Sequence, residues 1–435
     1  MIDVTIEKLI YGGEGLAHHE GATVFVPFVL PGEIASITPV EQKRKFIRAR
    51  LDKIATASFA RVEPHCLHFG ICGGCDYQHV SYESQLEFKK EILRETLRRI
   101  GKIEWSGEIT AHASPPWAYR NRAQWKVRPL DAPADSEVVE GPEGKAKLGI
   151  GYFKANTTAL CAVETCEIIS PLLLKPLLAL RRSLAAGELP RGLREIEAFV
   201  NASDSQLLLT ATFSGFPSRA AEHTQTFRRI APEITSLLFH DPTRDRMELY
   251  GPGYIEYEAA GTSYRVGHFS FFQVNKFLAE TLVNEVVGRE EGGRMALDLF
   301  SGVGLFSIPL AEKFEKVLSI ESNPAATRDM ESNTRGKGAI EVRTVDVDRF
   351  LARSKERPDL VVLDPPRAGM TPEAMQRLAK MAPARITYAS CEPPTLARDL
   401  AILITAGYSC TEVHLIDLFP QTFHMETVIR LRRGR

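Results

Sequence analysis

The sequence predicts a multi-domain chain in three parts. These are a small, oligonucleotide-binding-like β-barrel over residues 1–58, a central α/β unit with a cysteine cluster over 59–268, and a Rossmann-like, doubly wound α/β domain over 269–435. Three observations carry this reading. The first 58 residues alternate polar and apolar side chains between Gly and Pro punctuation, the pattern of short strands joined by turns. Three cysteines fall within ten residues, at Cys66, Cys72 and Cys75. From Phe269 onward, strand-like apolar runs alternate with helical stretches. A chain of 435 residues is also too long for a single core.

In the first part, Tyr11-Gly12-Gly13-Glu14-Gly15 reads as a turn and Ala22 to Pro27 as a strand. The last strand, Lys43 to Arg50, opens on three basic residues. Barrels that hold oligonucleotides pair basic strands of this kind with stacking aromatics.

The cysteine segment follows. Gaps of five and then two residues, with Gly73-Gly74 in the shorter one, let three sulfurs converge on one centre. A fourth sulfur must come from Cys161 or Cys166. Four thiolates hold either tetrahedral zinc or an iron–sulfur cluster, and the spacing leaves both open. Tyr82 to Ile100 reads as an amphipathic helix, with Leu86, Leu93, Leu97 and Ile100 on one face and Lys89, Lys90, Arg94, Arg98 and Arg99 elsewhere. Past Pro115-Pro116, a strand over Tyr119–Arg128 puts Arg120 and Arg122 on one side, as it does Lys126 and Arg128, which suits a phosphate-gripping sheet. A Pro-, Asp-, Glu- and Gly-rich loop over 129–145 and a mixed α/β stretch over 149–266 complete the middle.

The last part carries the chemistry. Arg294 to Phe300 reads as a buried strand running into Ser301-Gly302-Val303-Gly304, and a helix follows at once. Glycines there let backbone pass close to a ligand at a helix N-terminus. The next strand ends at Glu321, 19 residues after Gly302, where doubly wound sheets place an acid on ribose hydroxyls. Asp346 and Asp364 end later strands, the latter in Leu363-Asp364-Pro365-Pro366-Arg367. One further strand delivers Cys391 at its tip, and Glu426 follows 35 positions on. A thiolate, a carboxylate and a donor pocket are what methylation of an electron-poor pyrimidine carbon requires. That carbon becomes nucleophilic only after a thiolate adds to its neighbour, and a base must then remove the displaced proton.

Net charge is −1, so bulk charge argues for no partner. Its distribution argues more: from Val40 to Arg128 there are 17 Lys/Arg against 10 Asp/Glu, a surplus of seven, which leaves −8 for the remainder. A basic segment on an otherwise acidic chain is the footprint of a phosphate-backbone partner. No run of 18 apolar residues exists, and Met1 to Glu7 lacks a leader pattern, so the expectation is a cytoplasmic protein without a membrane span. Seven cysteines in that compartment point to metal or catalysis before disulfides.

The residues quoted so far, with Phe271-Phe272-Gln273-Val274-Asn275, Ser390-Cys391-Glu392-Pro393 and His424-Met425-Glu426, resemble the RNA (uracil-5-)-methyltransferase family over nearly the whole chain. Within it they resemble the iron–sulfur-containing 23S rRNA (uracil-5-)-methyltransferases. The resemblance implies Cys391 as nucleophile and Glu426 as base. It implies Gln273, Phe300, Gly302, Glu321, Asp346 and Asp364 around S-adenosyl-L-methionine. It makes the barrel similar to a TRAM domain and the pair of strands near Thr411–Leu418 and Glu426–Arg432 similar to the hairpin with an antiparallel seventh strand in adenosylmethionine-dependent methyltransferases. It implies a [4Fe–4S] cluster, ahead of zinc, on Cys66, Cys72, Cys75 and Cys166, with Cys161 a spare thiol. The expected partner is RNA, rRNA ahead of tRNA, acting on a monomeric enzyme. Two positions depart from the family's usual residues, Leu305 and Glu392, each where Asn is common. RNA cytosine carbon-5 methyltransferases offer Pro-Cys where this chain has Asp-Pro-Pro-Arg.

Overall fold

The structure, a computed structural model, describes residues 2–130 and 147–434. Most of the loop expected over 129–145 lies outside the described residues. Between Ile2 and Thr56 six strands form one sheet, in the order Ile2–Thr5, Ile34–Gln42, Phe46–Thr56, Ala22–Pro27, Glu14–His19, Lys8–Leu9. The Glu7 N–H bonds Leu16 O at 2.8 Å, drawing the two ends of the sheet together. Alternation decides which residues fill the interior: Val24 and Val26 are fully buried, as are Ala35 and Ile37 on the neighbouring strand.

A second sheet of seven strands spans Arg122–Tyr250 in the order Leu160–Ala162, Leu148–Phe153, Arg122–Pro129, Leu193–Val200, Leu207–Phe213, Ile234–Asp241, Arg246–Tyr250. Among its described strands, only the Leu207–Phe213 and Ile234–Asp241 pair runs parallel. Helices Pro171–Ala185 and Ala220–Ile230 pack on it, burying Leu173, Leu177 and Phe227 with Trp125.

The third sheet positions the site. Its eight strands run Ile340–Thr344, Phe314–Glu321, Gly293–Leu299, Leu360–Leu363, Arg385–Ser390, Glu426–Arg433, Tyr408–Ile416, Thr110–His112. The first five are parallel, and Glu426–Arg433 runs antiparallel to both its neighbours. The antiparallel strand expected near the C-terminus is therefore present. Leu360, Val361, Val362 and Leu363 are all fully buried, as both faces of a parallel sheet covered by helices demand.

Two features of the middle were not anticipated from the sequence. Thr110–His112 adds an eighth strand beside Tyr408–Ile416, in parallel register. The helix Tyr82–Arg99 packs on Pro393–Thr405, with Ile92, Leu93 and Leu97 joining Leu396, Ala397 and Leu400 in one core. Full burial of Leu93 and Leu97 contributes roughly 1.5–3 kcal/mol each.

The structure also corrects the expected basic surface. Lys89 is fully buried and pairs with the equally buried Asp417 at 2.6 Å, so it offers no charge to solvent. Ile100, expected on the apolar face, is 46% exposed. Arg122 lies over the Phe199 ring and donates to Ser270 O at 2.9 Å, Lys126 pairs with Glu195, and Arg128 donates to Arg194 O. These side chains already have protein partners, because the opposing strand Leu193–Val200 presents Glu195 and Glu197 to them.

Candidate active site

Cys391 and Glu426 meet because of strand register. Arg385–Ser390 and Glu426–Arg433 are antiparallel with Ser390 opposite Thr427, so the next step along each chain sets position 391 across from 426. Leu363 pairs with Leu299 on one side and Tyr388 on the other, which puts Asp364 at the same sheet edge, beside Phe300. This is the carboxyl end of the parallel strands, where open α/β sheets bind ligands.

Burial sets the protonation of this edge. The Cys391 thiol is pushed up to about 12, first by burial, then by the charges of Glu426 and Asp364. The guanidinium of Arg367, hydrogen-bonded to the thiol, opposes that shift. Glu426 is 4% exposed, and burial followed by the Asp364 charge holds its carboxyl well above the usual range. Its Oε1 has no hydrogen-bond partner. Burial raises Asp364 to about 7. Glu426 and Asp364 therefore oppose each other's charged form.

The glycine loop is built as its sequence requires. Phe300, Gly302 and Gly304 have φ of +64°, +55° and +96°, and Gly302 faces open space. Only Gly adopts such angles without strain; Phe300 does so at a cost, next to the sheet edge. The Gly302 N–H donates to Glu321 Oε2 at 3.0 Å, and the Asn323 N–H to Glu321 Oε1 at 2.7 Å, which fixes this carboxylate at its strand's end. Beneath the loop Asp298 is fully buried, accepts from Ser307 Oγ, and is raised to about 7 by burial, while its Oδ1 has no partner. An open cradle over Gly302, a fixed acid and an orphaned buried acceptor fit a polar adenosyl donor. Gln273 is buried, and its carbonyl accepts from Asn121 Nδ2. Asp346 is exposed and turned onto the Arg349 N–H at 3.1 Å, capping the helix Val347–Arg353. The Leu305 side chain is buried in the apolar core.

Cys66, Cys72, Cys75 and Cys166 line one cavity of about 320 Å³, which reaches Arg120, Arg367 and His424. An isolated bridge between Cys72 and Lys154 ties the cysteine loop to the seven-stranded sheet. Burial pushes the Cys72 thiol to about 12 and raises Cys75 and Cys166. Four sulfurs lining one cavity are a donor set that suits either tetrahedral zinc or an iron–sulfur cluster. Cys161 is buried and approaches Cys72 from the strand Leu160–Ala162.

His112, Glu285 and His414 do gather their ligand atoms within 4.8 Å. Arg289 and Arg430 stand 3.3 and 3.9 Å from Glu285 Oε2, however, so arginines already balance this acid, and the group works as an ion network fastening Thr110–His112 to the sheet.

Sequence reasoning did not place Tyr11, Asp76, Asp298 or His424 at this centre. Burial lowers His424 to about 3, helped by Arg367 and Lys89, so the ring stays neutral beside Arg367, 3.5 Å away. Asp76 accepts from the Phe423 N–H at 3.4 Å, and Tyr11 reaches the Cys391 loop. Tyr11 and Asp76 come from far away in the chain; Asp298, four residues before Gly302, and His424, inside the His424-Met425-Glu426 motif, each had a local signal.

Comparison with known proteins agrees with this geometry. The tRNA (Uracil-5-)-methyltransferase family model matches residues 340–434, and the TRAM domain model matches 1–51. An uncharacterized RNA methyltransferase of Aquifex aeolicus is 33% identical, over 99% of this chain and 98% of its own. A 23S rRNA (uracil(1939)-C(5))-methyltransferase of Salmonella typhimurium is 32% identical over 100% of this chain and 96% of its own. The crystal structure of the Pyrococcus abyssi tRNA (uracil-54, C5)-methyltransferase, in complex with S-adenosyl-L-homocysteine, superposes with a TM-score of 0.75 at 25% identity, covering 99% of this chain and all of that one.

Proposed function

The chain belongs to the RNA (uracil-5-)-methyltransferase family, and from that premise we propose that it methylates carbon 5 of a specific uridine in 23S rRNA through a covalent adduct on Cys391. The observation that carries this reading is the register that sets Cys391 opposite Glu426 at the sheet edge holding the glycine loop. S-adenosyl-L-methionine, when bound, supplies the methyl group; Gln273, Phe300, Gly302, Glu321, Asp346 and Asp364 are the residues that would hold it.

The uridine leaves its stack to enter the site, because attack and methylation need both faces of the ring. Cys391, ionised with the help of Arg367, forms a bond from sulfur to carbon 6, and the electron pair moves to carbon 5. After carbon 5 has gained the methyl group, the Glu426 carboxylate takes its proton. The carbon–sulfur bond then breaks and the thiolate returns. A carboxyl raised by burial is a stronger base than one in water, which suits this removal. Cys66, Cys72, Cys75 and Cys166 would hold a [4Fe–4S] cluster that orders the RNA-facing side of the cavity and takes no part in methyl transfer. Among the described residues, no helix is long and apolar enough to cross a membrane.

Full-length relatives named for 23S rRNA favour that substrate, and the superposed tRNA enzyme supports a tRNA uridine as the second reading. Mapping 5-methyluridine across rRNA and tRNA, in cells with and without the gene, separates them. Loss of one 23S rRNA site is the expected result; loss confined to tRNA selects the second reading, and no loss contradicts both.

A further inference from the structure

A barrel residue, Tyr11, reaches the catalytic loop. The turn before Glu14, closed by the Gly13 N–H to Ile10 O bond at 3.3 Å, carries Tyr11. Its hydroxyl donates to Glu392 Oε2 at 2.9 Å and lies 3.5 Å from Cys391 O. Its ring stands edge-on against Phe423 at 5.4 Å, in the loop leading to Glu426. One barrel side chain therefore touches both segments that carry the catalytic pair. The contact is closely fitted: a Cβ on Gly13 would meet Asp76 at 3.3 Å and Phe423 at 3.4 Å. Lys8 anchors the same edge of the barrel to Glu95 at 2.5 Å.

Glu392 is the covalent neighbour of Cys391, and a free carboxylate there would oppose formation of the thiolate. We propose that Tyr11 is a positioning residue, which holds the Glu392 carboxylate away from the Cys391 sulfur so that the nucleophile can ionise when RNA arrives. This rests on the assignment of Cys391 as nucleophile. Consistent with it, the groups that act most strongly on the thiol are, after burial, Glu426, Asp364 and Arg367. Glu392 is engaged elsewhere: Tyr11 is raised above its ordinary value by burial and then by the Glu392 charge. The barrel thus acts on the chemistry as well as on RNA capture.

The test is a double-mutant cycle on the full chain, using Tyr11→Phe, Glu392→Gln and the pair. Tyr11→Phe keeps the ring against Phe423 and removes only the hydroxyl. Alkylation of Cys391 by iodoacetamide is followed by peptide mass spectrometry, alongside kcat and KM for RNA methylation. A carboxylate released next to the thiol raises its pKa by about one unit, so Cys391 alkylation and kcat should each fall about tenfold in Tyr11→Phe, with both KM values held. With Gln at 392 there is no charge to restrain, and adding Tyr11→Phe should change neither rate. An equal loss in both backgrounds would show a merely structural contact and overturn the proposal, as would unchanged alkylation in Tyr11→Phe. Failure of the nucleophile assignment shows separately, as methylation surviving Cys391→Ala.

Discussion

Asp298 shows what a single buried acid costs and where its effect appears. Its carboxyl is raised to about 7 by burial under the glycine loop. A raised acid is protonated in both folded and unfolded chains at low pH, so it costs nothing there. As pH climbs through the unfolded carboxylate value toward 7, the folded state alone must keep the proton or bury the charge, and stability is lost. Asp298→Asn keeps an acceptor for Ser307 Oγ and removes that charge. Without methyl donor it should be more stable than the parent by on the order of 2–4 kcal/mol at pH 8, the gap closing toward pH 4. Denaturant melts at the two pH values check this; a gap independent of pH would refute the assigned cause. On the proposed donor assignment Glu321 accepts ribose hydroxyls, and losing it would remove charge-assisted hydrogen bonds of roughly 1.5–3 kcal/mol. Glu321→Ala should then weaken adenosylmethionine binding by about one to two orders of magnitude, and calorimetry showing unchanged affinity would remove Glu321 from the site. Cys391, Glu426 and the Gly302 loop could be picked out in the sequence because each lies at one end of a strand inside a local motif. Tyr11 was not, since its role depends on a contact 381 positions away.

Among the elements, the helix Tyr82–Arg99 departs most from its sequence pattern. Its periodicity correctly marked Leu93 and Leu97 for the core, but a lysine on the adjoining stripe read as a solvated charge. Lys89 is instead buried against Asp417 and the Phe419 carbonyl, at 2.6 and 3.1 Å, next to the loop that leads to Glu426. Burial lowers the Lys89 pKa, and Asp417 offsets part of that. Gln85 reinforces the joint by exchanging hydrogen bonds with Gln421, both at 3.0 Å. Removing one partner of a buried pair leaves an uncompensated charge, so Lys89→Met should destabilise by about 3–5 kcal/mol, and Lys89→Met with Asp417→Leu should recover most of that. Thermal melts of the two variants check it, and a double variant no better than the single would contradict the pairing. The strand Thr110–His112 was illegible for another reason: three residues give no period, and pairing with Tyr408–Ile416 alone makes them a strand. Arg122 and Lys126 misled because the acids that occupy them lie on a strand some 70 positions later.

At the scale of the whole molecule, the cysteine loop, the seven-stranded sheet and the loops that follow strands of the eight-stranded sheet meet around one cavity, lined by the cysteines together with Arg120, Arg367 and His424. Protein purified without oxygen should carry about four irons per chain and absorb broadly in the visible. One zinc in colourless protein would replace the cluster while keeping the four ligands. Cys72→Ser should lower RNA affinity more than donor affinity, measured by filter binding and calorimetry; equal losses would show that the cluster supports the entire fold. The central claim is that Cys391 and Glu426 divide one reaction between them, and one measurement tests it most directly. Glu426→Gln, incubated with adenosylmethionine and the uridine-containing RNA, is resolved on a denaturing gel and the shifted band is sequenced by mass spectrometry. The account predicts a methylated RNA covalently joined to Cys391, accumulating because the carbon-5 proton cannot leave, and absent when Cys391→Ala is added. Methylated RNA released at the parental rate, with no adduct, would contradict it.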